Sequence, residues 1–142
     1  MGLTSDIAAA VATKVGAVSG IRGSSPRDPD TIPATPWAVV ALPRVTISAG
    51  SWETMHLEFP LRMYAARVSD GARVTQVAYD TFDDVMAALR TGIQYGLSVQ
   101  GVAQGLLDDV EFDKFWEVGG EIYQGWEGTL TVTVAAGRTW TA

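Results

Sequence analysis

A chain of 142 residues with 47% hydrophobic and 18% charged residues has the size and make-up of one globular domain, able to bury roughly two thirds of the surface its unfolded form exposes. Cysteine is absent, which excludes disulfide frameworks, thiolate metal sites and cysteine nucleophiles. The net charge of −6, with acids concentrated between Asp80 and Glu127, opposes tight sequence-independent binding to phosphates.

Asp6 stands where a signal peptide needs basic residues, and the longest purely apolar run, Trp37–Leu42, is far too short to span a membrane. The expectation is a soluble protein, made and used in a cytoplasm or in a particle assembled there. Eight Arg against two Lys, with no Asn, point to a high-GC genome and carry no mechanism.

Thr4 or Ser5 caps a predicted first helix that runs to about Ser19, with Ile7, Val11, Val15 and Val18 in one stripe and Gly20 as its stop. This helix is Ala-rich with a narrow apolar face, so it is expected to pack on a sheet rather than to form the core. Residues 20–36 hold four of the six prolines and read as an irregular arm carrying Arg22 and Arg27 beside Asp28 and Asp30. Connections this long are functional or disordered, and contact with another chain is one reading of this one, a solvated connector the other.

Trp37–Leu42 reads as a short buried strand, and Arg44–Ala49 as a second with Val45 and Ile47 alternating against polar neighbours. Gly50 and Ser51 then turn the chain into the pattern around which the rest is organised. From Met55 to Ala65 every odd position is apolar, so Met55, Leu57, Phe59, Leu61, Met63 and Ala65 share one face of a strand. His56, Glu58, Arg62 and Tyr64 share the other. Pro60, which lacks an N–H for the ladder, predicts an edge strand or a bulge, and an edge is where a second subunit can pair.

Asp70 and Gly71 suit a hairpin returning through Arg73–Tyr79, but Val74, Val77, Ala78, Phe82, Val85, Met86, Leu89 and Ile93 recur at three- and four-residue steps over about five turns. One helix capped by Ser69 or Asp70 and ending near Gly92 explains all eight; a shorter helix from Asp80 or Thr81, with a capping-box start at Thr81 and Asp84, is the alternative. A short strand is expected near Leu97–Ala103. Val110–Val118 and Glu121–Ala135 flank Gly119-Gly120, a two-residue spacing suited to a hairpin. In the last strand Leu130, Val132 and Val134 face one way and Thr129, Thr131 and Thr133 the other. Gly137–Ala142 forms a short tail bearing Trp140.

Catalytic patterns fail on inspection. His56, the single histidine, lies beside Glu58 with no nucleophile elbow anywhere in the chain, so it reads as a surface or interface residue. Gly120 and Gly125 have phosphate-loop spacing, but Trp126 and Glu127 stand where Lys and Ser or Thr are needed. Asp109, Glu111 and Asp113 alternate as in a calcium loop, yet Lys114 replaces the glycine and Gly120 the final glutamate. No catalytic residue, metal site or cofactor is therefore expected. Five tryptophans are many for this length; Trp37 and Trp52 lie in or beside strands, while Trp116, Trp126 and Trp140 lie by turns or in the tail, where aromatics anchor interfaces as often as cores.

Taken in order, the first helix, the arm with Pro29, Asp30, Ile32, Pro33 and Pro36, the strand from Ala38 to Pro43, the run EFPLRMY from Glu58 to Tyr64, the long helix and the hairpin from Val118 to Trp126 resemble the tail terminator (tail completion) proteins of long-tailed siphophages, particularly those of actinobacteria. Head-completion proteins of the same particle necks share similar size and composition. The resemblance implies a homo-oligomeric ring, a hexamer, at the tail–neck junction of a virion assembled in the host cytoplasm. Its partners would be the tail tube protein on one side and a head-completion protein on the other, with DNA passing through the lumen unbound and no membrane involved. Six copies, each of charge −6, would make a strongly negative ring, and the part of that charge facing the lumen would keep phosphates from sticking.

The expected fold is α+β: one domain over residues 1–142, with a central, mostly antiparallel β-sheet and an N-terminal helix and one long helix packed on one face. Arg22, Arg27, Trp37, His56, Glu58, Arg62, Trp126 and Trp140 are the expected interface residues. A head-completion protein is the second reading, and a small hydrolase or ligand-binding domain a third.

Overall fold

The computed structural model describes residues 3–47, 55–71, 73–96 and 102–134. The elements in order are α1 (Leu3–Gly16), β1 (Gly23–Ser25), β2 (Trp37–Val40), β3 (Arg44–Ile47), β4 (Met55–Arg67), a single 3₁₀ turn (Val68–Asp70), α2 (Arg73–Gly96), β5 (Val102–Val118) and β6 (Glu121–Val134). Two helices pack on a sheet ordered β1-β2-β4-β6-β5, with β3 also paired to β4, and only the β1–β2 pair is parallel. This is the expected α+β architecture.

The period-two pattern of β4 sets the core. Leu57, Phe59, Leu61, Met63 and Ala65 are buried together with Ile7, Val11 and Val15 of α1 and Ala78, Val85 and Leu89 of α2. Removing so much apolar surface from water, at ~25 cal/mol per Å², is the main term holding helices to sheet. The stripe of α1 thus belongs to the core itself; small alanines let the helix approach closely enough for Ala12 to be buried too. Its last helical residue is Gly16, short of the expected Ser19, and the chain leaves through turns ending at Gly20, whose φ of 91° a glycine adopts without strain.

Two further expectations are corrected. Strand β4 is interior, flanked by β2 and β3 on one side and β6 on the other. Pro60 fits there because its carbonyl accepts the Ala41 N–H at 2.9 Å, and the N–H it lacks would point the same way, into the step where β2 has ended and β3 has not begun. The arm is not wholly irregular either. Gly23–Ser25 adds to β2 in parallel, Ser24 Oγ donates to the Ala12 carbonyl at 2.6 Å, and a Cβ on Gly16 would collide with that Ser24 side chain. The absence of a side chain at Gly16 is what admits β1.

The longer of the two predicted helices forms, and it continues through Gly92 to Gly96. Asp70 does not cap it: its carboxylate turns back to accept the Arg67 N–H at 3.1 Å, within the 3₁₀ turn. Thr81 lies in mid-helix and is buried, so the capping-box start there is excluded. Strand β5 begins at Val102 and is continuous to Val118, where two shorter strands were expected; the turn at Gly50–Ser51 and residues 97–101 lie outside the described residues. Register shifts surround Glu111, and Asp109 and Asp113 take positive φ values of 50° and 61°. These are two bulges four residues apart. Gly119 and Gly120, at φ 59° and 83°, close the hairpin as expected of a primed turn.

Candidate assembly surfaces

On the sheet face away from the helices, Arg62 joins two carboxylates. Alternation along β4 aims it outward, and register places it opposite Glu127 of β6. Its Nε donates to Glu127 Oε2 at 2.7 Å and its Nη1 to Asp28 Oδ1 of the arm at 3.1 Å. Burial pulls the Arg62 pKa down, but hydrogen bonds with Glu127 and Tyr64 and the charges of Asp28 and Glu127 leave it raised. The guanidinium also lies 6.0 Å from the centre of the Trp116 ring, which meets Tyr64 edge-on at 4.9 Å. Burial raises the Tyr64 pKa, with Arg62 opposing. Two carboxylates already bind this cation, so it fastens the arm to the sheet and is not an open anion site.

Behind it the arm buries Ile32 against Val39, Tyr64 and Tyr123. Between arm and hairpin lies an open cleft of about 610 Å³, lined by Asp28, Asp30, Arg62, Trp116 and Glu117 among others. A groove of about 430 Å³ opens beside α1, with Phe59 at its floor and Ala8, Pro26, Leu42 and Pro43 around it. Leu42 is 83% exposed at its rim, an extreme value for a large apolar side chain.

The expected interface residues separate into three groups. Arg22 and Arg27 are exposed on the arm, Arg27 at the groove. His56, Glu58 and Arg62 share the outer face of β4 as anticipated: His56 Nδ1 lies 3.1 Å from Thr133 Oγ1, and Glu58 faces Arg44 at 3.8 Å. Trp37 and Trp126 serve this chain's own packing. Trp37 lies over Gly23 and donates its indole N–H to Ser25 Oγ at 3.0 Å. The placing of Trp126 at an interface is corrected, because the residue is wholly buried and donates to Thr81 Oγ1 at 3.1 Å. Trp140, with the 137–142 tail, lies outside the described residues.

Sequence reasoning missed Leu42, Arg44, Asp28, Glu127 and Phe115 as surface determinants. Leu42 looked like the end of a buried run, and only the early end of β2 at Val40 exposes it. Among the described residues no group of three or more acidic or histidine side chains could hold a metal ion, and no helix is long and apolar enough to cross a membrane. No protein-family model matches the chain, and no curated protein matches it.

Proposed function

We propose that this chain is a structural subunit that works by closing head to tail into a ring, and that the ring caps a phage tail tube, stops its growth and offers a surface to the head. One observation carries the reading: among the described residues the sheet path ends at opposite sides in strands with one unpaired edge, β5 on one and β1 and β3 on the other. Two different edges on one subunit favour a heterologous contact, which closes when the rotation between copies divides a full turn. The resemblance in the order of arm, strands and hairpin supplies the particular role, with a hexamer as the expected count. His56, weighed for catalysis, is hydrogen-bonded with Thr133, and Glu111, weighed as a calcium ligand, pairs with Lys114 at 3.1 Å.

Purified protein added to polymerising tail-tube protein tests this. Tubes of restricted length ending in rings are expected by electron microscopy, and unchanged tube lengths would overturn the terminator role.

A further inference from the structure

The two edges left unpaired among the described residues differ in charge as well as in position. Along β5 the side chains of Asp109, Glu111, Asp113 and Glu117 are exposed, and Lys114 is the single cation in that stretch. On the neighbouring α2, Asp80, Asp83 and Asp84 are exposed too. At the other end of the sheet Arg27 on the arm and Arg44 at the start of β3 are exposed, with Arg22 further along; Asp6, Asp28 and Asp30 are exposed on that side as well, Asp28 turned to Arg62. Arg44 has only a long 3.8 Å contact to Glu58 and is 83% exposed.

Each edge also carries an exposed apolar feature, and Phe115 lines the mouth of the open cleft between hairpin and arm. Phe115, 56% exposed on β5, has the exposed carboxylates of Asp113 and Glu117 two residues to either side and Lys114 next to it. The groove under Leu42 has Arg27 in its lining and Arg44 two residues further along the chain. The groove's volume exceeds that of a phenyl ring, and its walls are α1 and the step from β2 to β3. An acidic strand with a projecting aromatic and an arginine-flanked apolar groove are complementary. They belong to strands at opposite ends of one sheet.

We infer that the β5 edge of one copy, with Phe115 leading, docks on the Leu42 groove of a second copy, the carboxylates of β5 meeting Arg27 and Arg44. This rests on the ring reading and names its contact. The charges steer and orient the encounter, and the aromatic in the groove supplies the desolvated centre.

Charge reversal in two separate proteins tests the contact. One carries Arg27→Glu with Arg44→Glu, the other Glu111→Lys with Glu117→Lys, all at exposed positions. Followed by sedimentation, each alone should self-associate on the order of a hundredfold more weakly than wild type, since like charges then face each other. Mixed in equal amounts they should assemble again, each supplying the edge the other lacks. Phe115→Ser, which leaves every charge in place, should weaken assembly about tenfold. Wild-type assembly by both reversed proteins overturns the inference, as does a mixture that fails to recover while each protein keeps the wild-type melting temperature and circular dichroism. The two readings fail separately. Assembly through these edges with no effect on tube length upholds the contact and removes the terminator role; rings that limit tube length regardless of the reversed charges do the opposite.

Discussion

Thr81 and Trp126 are a pair that neither helix periodicity nor strand alternation reveals. The Thr81 hydroxyl donates to the Val77 carbonyl at 2.9 Å, as threonine does in mid-helix, and accepts from the Trp126 indole. Trp126 also meets Phe82 edge-on at 5.5 Å, so its ring is held from two sides. Thr81→Val keeps the shape but orphans a buried indole N–H, and a loss of about 1–3 kcal/mol in urea unfolding is expected. Thr81→Ser, which keeps the acceptor, should lose less. Tyr64 makes a second residue-scale test, through pH. Its folded pKa is raised above the ordinary 10.0, chiefly by burial, so the folded chain holds this proton more tightly than the unfolded one. The resulting stabilisation is complete below pH 10 and drains away as pH climbs through the raised folded value. The melting temperature of wild type should therefore fall in that alkaline window, and Tyr64→Phe should fall less steeply.

At the scale of elements, the arm is fastened at several points, among them the Asp28–Arg62 pair, Ile32 in its small aromatic cluster, Ser24 on α1, and β1 against β2. Ile32→Ala should cost about 2 kcal/mol and speed tryptic cleavage after Arg27, while the helices and the β4–β6 pair keep their circular dichroism. Gly125 is a different kind of element-level constraint. It sits opposite Tyr64, beside the register shift between Tyr64 and Ala66, and a Cβ there would run into the Met63 carbonyl. Gly125→Ala should destabilise by about 3 kcal/mol in equilibrium unfolding, because backbone rather than a pliable side chain must move. Strand β4 and helix α2 were legible in the sequence because each repeats its period without interruption over many residues. Strand β5 was not, since Asp108 and Asp109 break its alternation and the bulges shift its faces. The arm's strand β1, Gly-Ser-Ser, has no hydrophobic signature at all; it exists because Gly16 leaves space for Ser24. The Arg62 node was half legible: the outward aim of Arg62 followed from alternation, but Asp28 and Glu127 are 34 and 65 residues away in sequence and only topology joins them.

The whole molecule is a sheet with an acidic end at β5 and two exposed arginines, Arg27 and Arg44, beside the groove at the other, with a net charge of −6. A contact between such ends is partly electrostatic and partly apolar, and the Debye length falls from about 10 Å at 0.1 M salt to about 3 Å at 1 M. Sedimentation across that range should show self-association weakening as salt rises; association that strengthens with salt instead would assign the contact to apolar surface alone. The fold class could be read from the chain because burial patterns dominate it. The polarity of the sheet could not, since it depends on which strands end at its margins.

The paired kinks at Asp109 and Asp113 bear on how such a molecule stays countable. A long straight margin would present an even row of amide and carbonyl groups, a template on which any extended chain can lay itself without limit. Here the row is interrupted twice within four residues and each interruption carries a negative charge. In the proposed assembly copies would then recognise one another through side-chain shape, at an angle that side chains fix, and such a margin is a poor seed for fibres.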